Sequence, residues 1–269
     1  MPVGSDGATA TPAKSAPNDR VKSADRVMAV LDLVAQHGSM GFTEIAERLE
    51  LPKSSAHALL RTMEARAYLA LDPERKTYRL GSRIWELAQA VHEIEDLRTL
   101  MKPLMDRLVE RTGETVQLAT LDGVSAVYLE LSESPHPMKL TSRVGARLPA
   151  HTSAIGKSLL ASLDPDEAKR RLEGATLVKL TDHTITEVPD LLENLERVRR
   201  QGYSVDDEEF AVGLRCLAMP VRDAEGSPVA AISVSMPTPR YSRTAAATAR
   251  KALAETVSAA AARLGRWQG

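Results

Sequence analysis

Residues 51–80 have the sequence LPKSSAHALLRTMEARAYLALDPERKTYRL. Apolar side chains recur at helical spacing over residues 53–66, and Pro52 suits the first turn of this helix because it has no amide hydrogen to leave unpaired. Two short strand-like runs follow at residues 68–71 and 77–80, and the Asp-Pro-Glu-Arg-Lys segment that joins them has turn chemistry. This stretch therefore predicts one amphipathic helix followed by a β-hairpin.

Two further helices are predicted upstream of this stretch. Residues 23–36 carry apolar side chains at helical spacing and are followed by Gly38, which is a helix stop signal. A shorter helix is predicted at residues 43–49, with Thr43 as its N-cap. Three helices with a tight turn before the third and a hairpin after it are typical of a winged helix-turn-helix domain.

The third helix presents a polar face that suits contact with DNA. Its first turns would read base edges in the major groove, whereas lysine and arginine side chains on it and at the wing tip would contact phosphates. Cations outnumber acidic residues over residues 53–79. A winged helix can also mediate protein contacts, and the pattern alone does not exclude that alternative. The candidate DNA-binding residues are Lys53, Ser54, Ser55, His57, Arg61, Arg75 and Lys76.

Length and composition limit the number of domains and the kinds of protein that the chain can be. Its 269 residues suggest two domains, and the net charge of −1 means that any DNA-binding signal is local, so we expect a dimer that occupies two half-sites. The single cysteine excludes an intrachain disulfide and fits a reducing cytoplasm. No apolar run approaches the roughly 20 residues of a membrane-spanning helix. Residues 1–20, rich in Ala, Pro, Ser, Gly and Thr, are expected to form a disordered tail.

The predicted domain boundary lies near Ile94. A helix at residues 82–91 follows the wing, and a second helix is expected to start at Asp96 or Thr99, with Pro103 in about its first turn. The connecting helix could pair with a partner chain or serve as a spacer. The expected organisation is a tail at residues 1–20, a winged helix-turn-helix DNA-binding domain at 21–81, a linker helix at 82–95 and an effector-binding domain at 96–269.

The C-terminal part of the chain combines strand and helix patterns. Asp122-Gly123 is a hairpin turn signal between strands predicted at residues 115–121 and 126–131. Together the patterns predict an α+β domain with a central antiparallel sheet. Further strands are predicted at residues 138–142, 215–221 and 229–235, and helices at 153–162, 164–172, 188–201 and 242–264.

Three motifs resemble those of the IclR family of bacterial regulators. The segment GYSVDDEE at residues 202–209, followed by CLA at 216–218, closely resembles the family signature, although Arg222 stands where the family usually has an aromatic residue or His. The segment LPAHTSAIGK at residues 148–157 looks like the loop and helix of the family's effector domain. The helix-turn-helix and wing segments also match, so the resemblance covers about residues 21–264.

The resemblance implies a GAF-like effector domain, in which a small ligand lies between the sheet and the loop that leads into the helix near Ser153. Backbone amides at a helix start favour an anion, commonly a carboxylate. In that setting Asp206 could accept a hydrogen bond from the ligand or be a protonated donor. Carried over from the family, the effector-binding groups are the amides of Ala154 and Ile155 and the side chains of Asp206, Cys216, Ser233 and Ser235.

Simpler interpretations of these residues remain open at this point. Ser233 and Ser235 lie two apart on a predicted strand and so share one face, but that face could be turned to solvent. Cys216 could be a small core residue, which is commoner for a strand cysteine than a nucleophile. On composition alone, the acidic run at residues 206–209 is a solvated loop.

Other chemistries find little support in the sequence. A phosphate-binding loop ending in Gly156-Lys157-Ser158 would need a glycine where the chain has His151. The six histidines show no paired spacing for a metal, and no Gly-x-Ser-x-Gly element points to a hydrolase. We therefore expect neither a cofactor nor a metal.

These observations indicate an effector-responsive, sequence-specific DNA-binding transcription regulator. We favour a repressor over an activator, acting in the cytoplasm as a dimer or a tetramer on a palindromic DNA operator. The expected effector is a small organic acid, and no membrane partner is expected. The alternative is a small-molecule sensor or an enzyme whose N-terminal winged helix mediates protein contacts.

Overall fold

The computed structural model describes residues 21–88, 92–223 and 225–264. The predicted tail at residues 1–20 and the last residues of the predicted linker helix, 89–91, lie outside the described residues. The chain divides into two compact units, with the second unit beginning at Ile94.

The N-terminal unit is a winged helix-turn-helix, which confirms this part of the predicted fold class. Its third helix buries Ala56, Leu60 and Met63 at helical spacing and leaves the opposite face polar. The strands form an antiparallel sheet in the order β1-β3-β2. The elements are α1 (Lys22–His37), β1 (Met40–Gly41), α2 (Phe42–Arg48), α3 (Lys53–Ala65), β2 (Leu69–Asp72), β3 (Thr77–Leu80) and α4 (Ser82–Ala88).

Two details of this unit differ from the prediction. Thr43 is not an N-cap, because α2 already begins at Phe42 and its N-cap is Gly41, which has no side chain to cap the helix. The reason is the short strand β1, which the sequence analysis missed. Met40 is buried and pairs with Tyr78 of the wing, so the chain stays extended until the helix starts.

The wing closes through a tight backbone approach at Gly81. A Cβ atom at this position would lie 2.1 Å from the carbonyl oxygen of Ala67, far inside van der Waals contact. Only glycine therefore fits between the end of β3 and the turn that follows α3.

The C-terminal unit is an α+β domain with a six-stranded antiparallel sheet, as predicted. The strand order is β6-β5-β4-β9-β8-β7, so the hairpin β4-β5 and the hairpin β8-β9 meet where β4 pairs with β9. The strands are β4 (Thr115–Asp122), β5 (Ser125–Ser132), β6 (Arg147–Pro149), β7 (Ser204–Asp207), β8 (Leu214–Arg222) and β9 (Pro228–Pro237). The helices are α5 (His92–Thr112), α6 (Ala154–Ser162), α7 (Pro165–Leu172), α8 (Val188–Gln201) and α9 (Arg243–Leu264).

The two faces of this sheet differ in chemistry. One face packs on α5 and α9 through an apolar core that includes Val116, Leu118 and Val234. The other face is covered by α6 and carries Gln117 and Ser233, which alternate with those core residues along β4 and β9. Side-chain alternation on the central strands therefore places a polar layer beneath α6.

Two sequence predictions are wrong in this unit, and one interpretation left open above is excluded. Residues 138–142 do not form a strand, because the edge of the sheet beside β5 is taken by β6. The acidic run is not a solvated loop but contains the edge strand β7, with Asp206 buried. Pro103 lies near the middle of α5, because the buried apolar face of this helix begins before it, at Leu97.

None of the helices in the described ranges is both long enough and apolar enough to span a bilayer.

Candidate functional site

The outer face of α3 and the tip of the wing form an exposed polar surface in the N-terminal unit. The structure places all of the predicted DNA-contacting side chains in solvent, while the opposite face of α3 fills the core of the unit. The ring of His57 packs edge-on against Phe42 of α2, with 6.2 Å between ring centroids. The exposed residues are Lys53, Ser54, Ser55, His57 and Arg61 on α3 and Arg75 and Lys76 on the wing.

The wing tip is held in one conformation by Asp72. Its Oδ1 atom accepts hydrogen bonds from the backbone amides of Arg75, at 3.1 Å, and Glu74, at 3.0 Å. The amide of Arg75 in particular holds the pKa of Asp72 below its usual value, so the carboxylate stays charged and the turn stays capped. Lys76 completes the turn in the left-handed region, with φ of 53°. The two cations of the tip are thus presented on an ordered backbone.

A groove of about 490 Å³ runs between α1 and α3 in the same unit. Val27, Leu51 and Leu59 form its apolar part, and Arg26 and Ser55 lie among its lining residues. It is open to solvent and suits surface contact better than enclosure of a small molecule.

In the C-terminal unit, strand register aligns the predicted effector residues in a buried row. Asp206 on β7 lies opposite Cys216 on β8, and Cys216 lies opposite Ser235 on β9. Ser233, two residues earlier on β9, lies opposite Gln117 on β4. All five side chains are buried, so the two serines face the interior and not solvent. The structure therefore brings together the four side chains expected from sequence and adds Gln117.

Gln117 is the centre of the hydrogen bonds in this row. Its Oε1 atom accepts from the hydroxyl of Ser233 at 2.8 Å and from that of Ser235 at 3.1 Å. The Ser235 hydroxyl also lies 3.2 Å from the sulfur of Cys216. The Nε2 atom of Gln117 is buried and has no hydrogen-bond partner among the described residues. A buried amide donor without a partner is costly unless a ligand or water accepts from it.

Asp206 carries a second unpaired polar atom at the other end of the row. Its Oδ1 atom accepts from the backbone amides of Glu209, at 2.7 Å, and Phe210, at 3.2 Å. Its Oδ2 atom is buried and finds no partner within the described part of the chain. Burial raises the pKa of Asp206 to about 7; the amide of Glu209 opposes this rise, and the Glu209 carboxylate adds to it.

Behind Asp206, Lys157 and Glu209 form a buried ion pair between α6 and the loop after β7. Lys157 is fully buried and Glu209 is 8% exposed. Two threonine hydroxyls fasten the same loop: Thr181 donates to the carbonyl of Glu208 and Thr184 to that of Glu209, each at 2.7 Å. A charge at this depth is stable only because its partner neutralises it.

The first turn of α6 is fixed against the sheet. The Ser153 hydroxyl caps the helix by accepting from the amide of Gly156 at 3.2 Å, and Ser204 of β7 donates to the carbonyl of Ala154 at 2.6 Å. A Cβ atom on Gly156 would lie 2.2 Å from the carbonyl oxygen of Ala150, so only glycine allows this approach. The amides of Ala154 and Ile155 open the helix, where amides have no partner within the helix itself.

Apolar side chains, including Tyr128, Ile155 and Leu159, surround the polar row. Burial raises the pKa of the Cys216 thiol well above its usual value, which keeps it protonated and unsuited to nucleophilic chemistry. Burial likewise raises the pKa of Tyr128. Within the described ranges no three His, Cys, Asp or Glu side chains come together as metal ligands would. The arrangement thus places several hydrogen-bonding groups side by side in an apolar setting.

Two of these residues, Gln117 and Lys157, were missed by the sequence analysis. The available signal was a polar residue inside an otherwise apolar stretch, Gln117 in TVQLATL and Lys157 in AIGKSLLAS. Lys157 entered the sequence analysis only as the last residue of the segment LPAHTSAIGK and as part of an incomplete phosphate-binding loop, with no role of its own.

Comparisons with known proteins find relatives for both units. The IclR helix-turn-helix domain family matches residues 23–73, and the family described as bacterial transcriptional regulator IclR C-terminal matches residues 88–265. The HTH-type transcriptional regulator KdgR of Escherichia coli (strain K12) is 38% identical over 224 residues, which cover 83% of this chain and 85% of KdgR. The transcriptional repressor IclR of the same organism is 34% identical over 224 residues, which cover 82% of each chain.

A solved structure extends these similarities to the whole fold. An IclR homolog from Microbacterium hydrocarbonoxydans, crystallised as a complex with 4-hydroxybenzoate, matches with a TM-score of 0.76 at 28% identity. The match covers 89% of this chain and 99% of that one.

Proposed function

We propose that this chain, which belongs to the IclR family of bacterial transcriptional regulators, is a repressor whose affinity for its operator depends on a small carboxylate held in the C-terminal unit. The members of the family are DNA-binding regulators and not enzymes, so the chain has no catalytic role. The repressor assignment follows two of the similar proteins, IclR and AllR, which are named as repressors.

The DNA-binding surface is the exposed face of α3 together with the wing tip. Short polar side chains at the start of α3, Ser54 and Ser55, have the size and the donors to read base edges, and Arg61 and Lys53 can contact phosphates. Because the net charge of the chain is only −1, we assign phosphate contact to these local cations and expect two copies to act on a palindromic operator. A dimer or a dimer of dimers would supply the two copies.

The effector site is the polar row beneath the first turn of α6. The observation that carries this assignment is that two buried atoms at the ends of the row, Gln117 Nε2 and Asp206 Oδ2, have no hydrogen-bond partner among the described residues. Between them lie Cys216, Ser233 and Ser235, and the α6 amides offer a place for a carboxylate. That a related protein is known in complex with 4-hydroxybenzoate, itself a carboxylate, supports this ligand class.

Coupling between the two units requires only that the ligand bind one arrangement of the chain better than another. A carboxylate that prefers the arrangement with poorer spacing of the recognition helices would release the operator. This is the expected behaviour of an inducible repressor.

The proposal is tested with labelled DNA from upstream of the gene for this protein. Operator affinity should fall linearly with salt on a log–log plot, because phosphate contacts release counterions. Arg61→Ala should weaken this binding, whereas Arg197→Ala, which removes an exposed arginine from α8, should not. Salt-insensitive binding, or equal effects of both variants, would instead favour the alternative that the winged helix contacts protein.

A further inference from the structure

The effector site holds one more negative charge than positive charges when Asp206 is ionised, because the charges of Lys157 and Glu209 cancel each other. The positive charge of Lys157 opposes the rise in the pKa of Asp206 that burial causes, but Lys157 is already paired with Glu209. Asp206 has no such partner: its Oδ1 atom is occupied by two backbone amides and its Oδ2 atom is unpaired among the described residues. The charge left over beneath α6 is therefore the negative charge of Asp206 itself.

An anionic ligand placed against this row would meet that charge at close range. Both groups would lie in a site where Asp206 is fully buried, so little water would screen their repulsion. Two carboxylates that share such a site cannot both stay ionised, and one of them takes up a proton.

We propose that this site binds its carboxylate together with one proton, held on Asp206 Oδ2 and donated to the ligand. This inference rests on the function proposed above. In the free protein at alkaline pH, Asp206 is ionised; on binding it takes one proton from solvent, and its O–H group becomes a hydrogen-bond donor to the ligand carboxylate. The ligand itself remains an anion, and its second oxygen is available to the amides of α6.

The geometry of Asp206 suits this role. Its Oδ1 atom keeps both amide hydrogen bonds whether or not Oδ2 carries a proton, so protonation does not disturb the turn after β7. Burial raises the pKa of Asp206 to about 7, which puts the proton exchange within the physiological range. A small carboxylic acid has a pKa of about 4 and stays ionised there.

The other titratable groups around Asp206 are poorly placed to take the proton. Glu209 is held by Lys157, and burial raises the pKa of both Cys216 and Tyr128, so these two remain neutral. His151, which lies near Lys157, has its pKa lowered by burial and its Nε2 atom 3.0 Å from the carbonyl oxygen of Val178. Burial therefore favours the neutral form of His151.

The expected behaviour is a binding constant that changes with pH. The Kd of a carboxylate should change little between about pH 5 and 6, where the ligand is still ionised, and should rise tenfold for each pH unit well above 7. Between pH 6 and 8.5 this amounts to a rise of about 30-fold, given a transition near pH 7. Calorimetry in buffers of different ionisation enthalpy should show uptake of about one proton per ligand at pH 8.5 and almost none at pH 6.

The experiment uses the full chain and a panel of monocarboxylates that includes acetate, propanoate, benzoate and 4-hydroxybenzoate. Asp206→Asn copies the protonated residue, because its amide can accept from the two backbone amides and donate to the ligand. This variant should bind with no dependence on pH and, at pH 8.5, about 30-fold more tightly than the wild type. Asp207→Asn is the matched control: Asp207 is the exposed neighbour, and its variant should keep the wild-type pH dependence.

The failures of the inference and of the proposed function are distinguishable. Binding without proton uptake, or a folded Asp206→Asn variant that does not bind, would overturn the inference and leave the effector site in place. Absence of binding by every member of the panel at every pH would overturn the site and the inference together. If the variant does not fold, a ¹³C NMR titration of Asp206 in the free protein decides: a midpoint near 7 supports the inference and a midpoint near 4 overturns it.

Discussion

The two polar surfaces of this protein differ in how much free energy their polar side chains cost on folding. The face of α3 that carries Ser54, Ser55 and Arg61 is exposed, so its side chains keep their water and place no demand on folding. The row of Asp206, Cys216, Ser235 and Gln117 is buried, and each of its polar atoms needs a partner. An exposed polar face is compatible with many functions, whereas the unpaired atoms of the buried row, among the described residues, require a ligand or water to complete their hydrogen bonds.

This comparison predicts the largest effect where a buried charge loses its partner. Lys157→Met would leave Glu209 charged and unpaired in the interior, which typically costs about 3–5 kcal/mol of folding stability. Urea unfolding measures the loss. The double variant Lys157→Met/Glu209→Met should recover most of it; a single variant as stable as the wild type would mean that the pair contributes nothing.

A second large effect is expected in the pH dependence of folding stability, through Asp206. The folded protein holds the Asp206 proton up to about pH 7, whereas the unfolded chain releases it near 3.8, so this residue destabilises the fold progressively as pH rises between those values. The stability of Asp206→Asn minus that of the wild type should therefore increase over this range, on the order of 4 kcal/mol. If the folding stability of the two proteins changes with pH in the same way, the pKa of Asp206 is not raised in the folded state.

Gln117→Leu should affect the ligand and not the DNA. The substitution removes the buried Nε2 donor, and loss of such a hydrogen bond costs about 1–3 kcal/mol, so carboxylate affinity should fall by about 5- to 150-fold. Operator affinity measured by fluorescence anisotropy should be unchanged. Gln201→Leu, at an exposed position on α8, is the control that should leave both affinities intact.

Arg61→Ala, on the exposed surface, should affect the DNA and not the ligand. Loss of a phosphate contact weakens DNA binding similarly for all sequences and reduces the slope of log affinity against log salt by about 1 for each copy. Carboxylate binding, followed by calorimetry, should persist. Loss of both activities would point to unfolding of the unit.

The smallest effect is expected for an ion pair on the surface. Glu167 bonds to Arg170 and Arg171 along α7, and all three side chains are about one third or more exposed. Glu167→Gln should therefore lower stability in urea unfolding far less than Lys157→Met does, because solvent screens an exposed pair. A loss as large as that of Lys157→Met would remove the distinction between exposed and buried charge on which the comparison rests.

The same distinction explains how far the sequence could predict this structure. Helix α3 and the wing were predictable because their apolar residues have a regular period and their turn residues are local signals. The hairpins β4-β5 and β8-β9 were predictable for the same reason. The prediction of a strand at residues 138–142 failed because a short alternation of apolar and polar residues does not reveal whether a strand partner lies beside it.

The buried row was harder to predict for a physical reason. Asp206 lies in an acidic run that composition assigns to solvent, and only register with Cys216 on β8 shows that it is buried. The partner of Lys157 is 52 positions along the chain, so no local pattern announces the ion pair. The family resemblance located Asp206, Cys216, Ser233 and Ser235, but Gln117 became visible only through its hydrogen bonds.

The central claim is that a carboxylate bound beneath α6 controls contact between α3 and DNA. The direct measurement is the operator affinity of the full chain at increasing concentrations of a carboxylate that calorimetry shows to bind. The account predicts a shift of at least about fivefold that saturates with the ligand, and an equal shift in ligand affinity when operator is added first. Saturated ligand binding with unchanged operator affinity would contradict it.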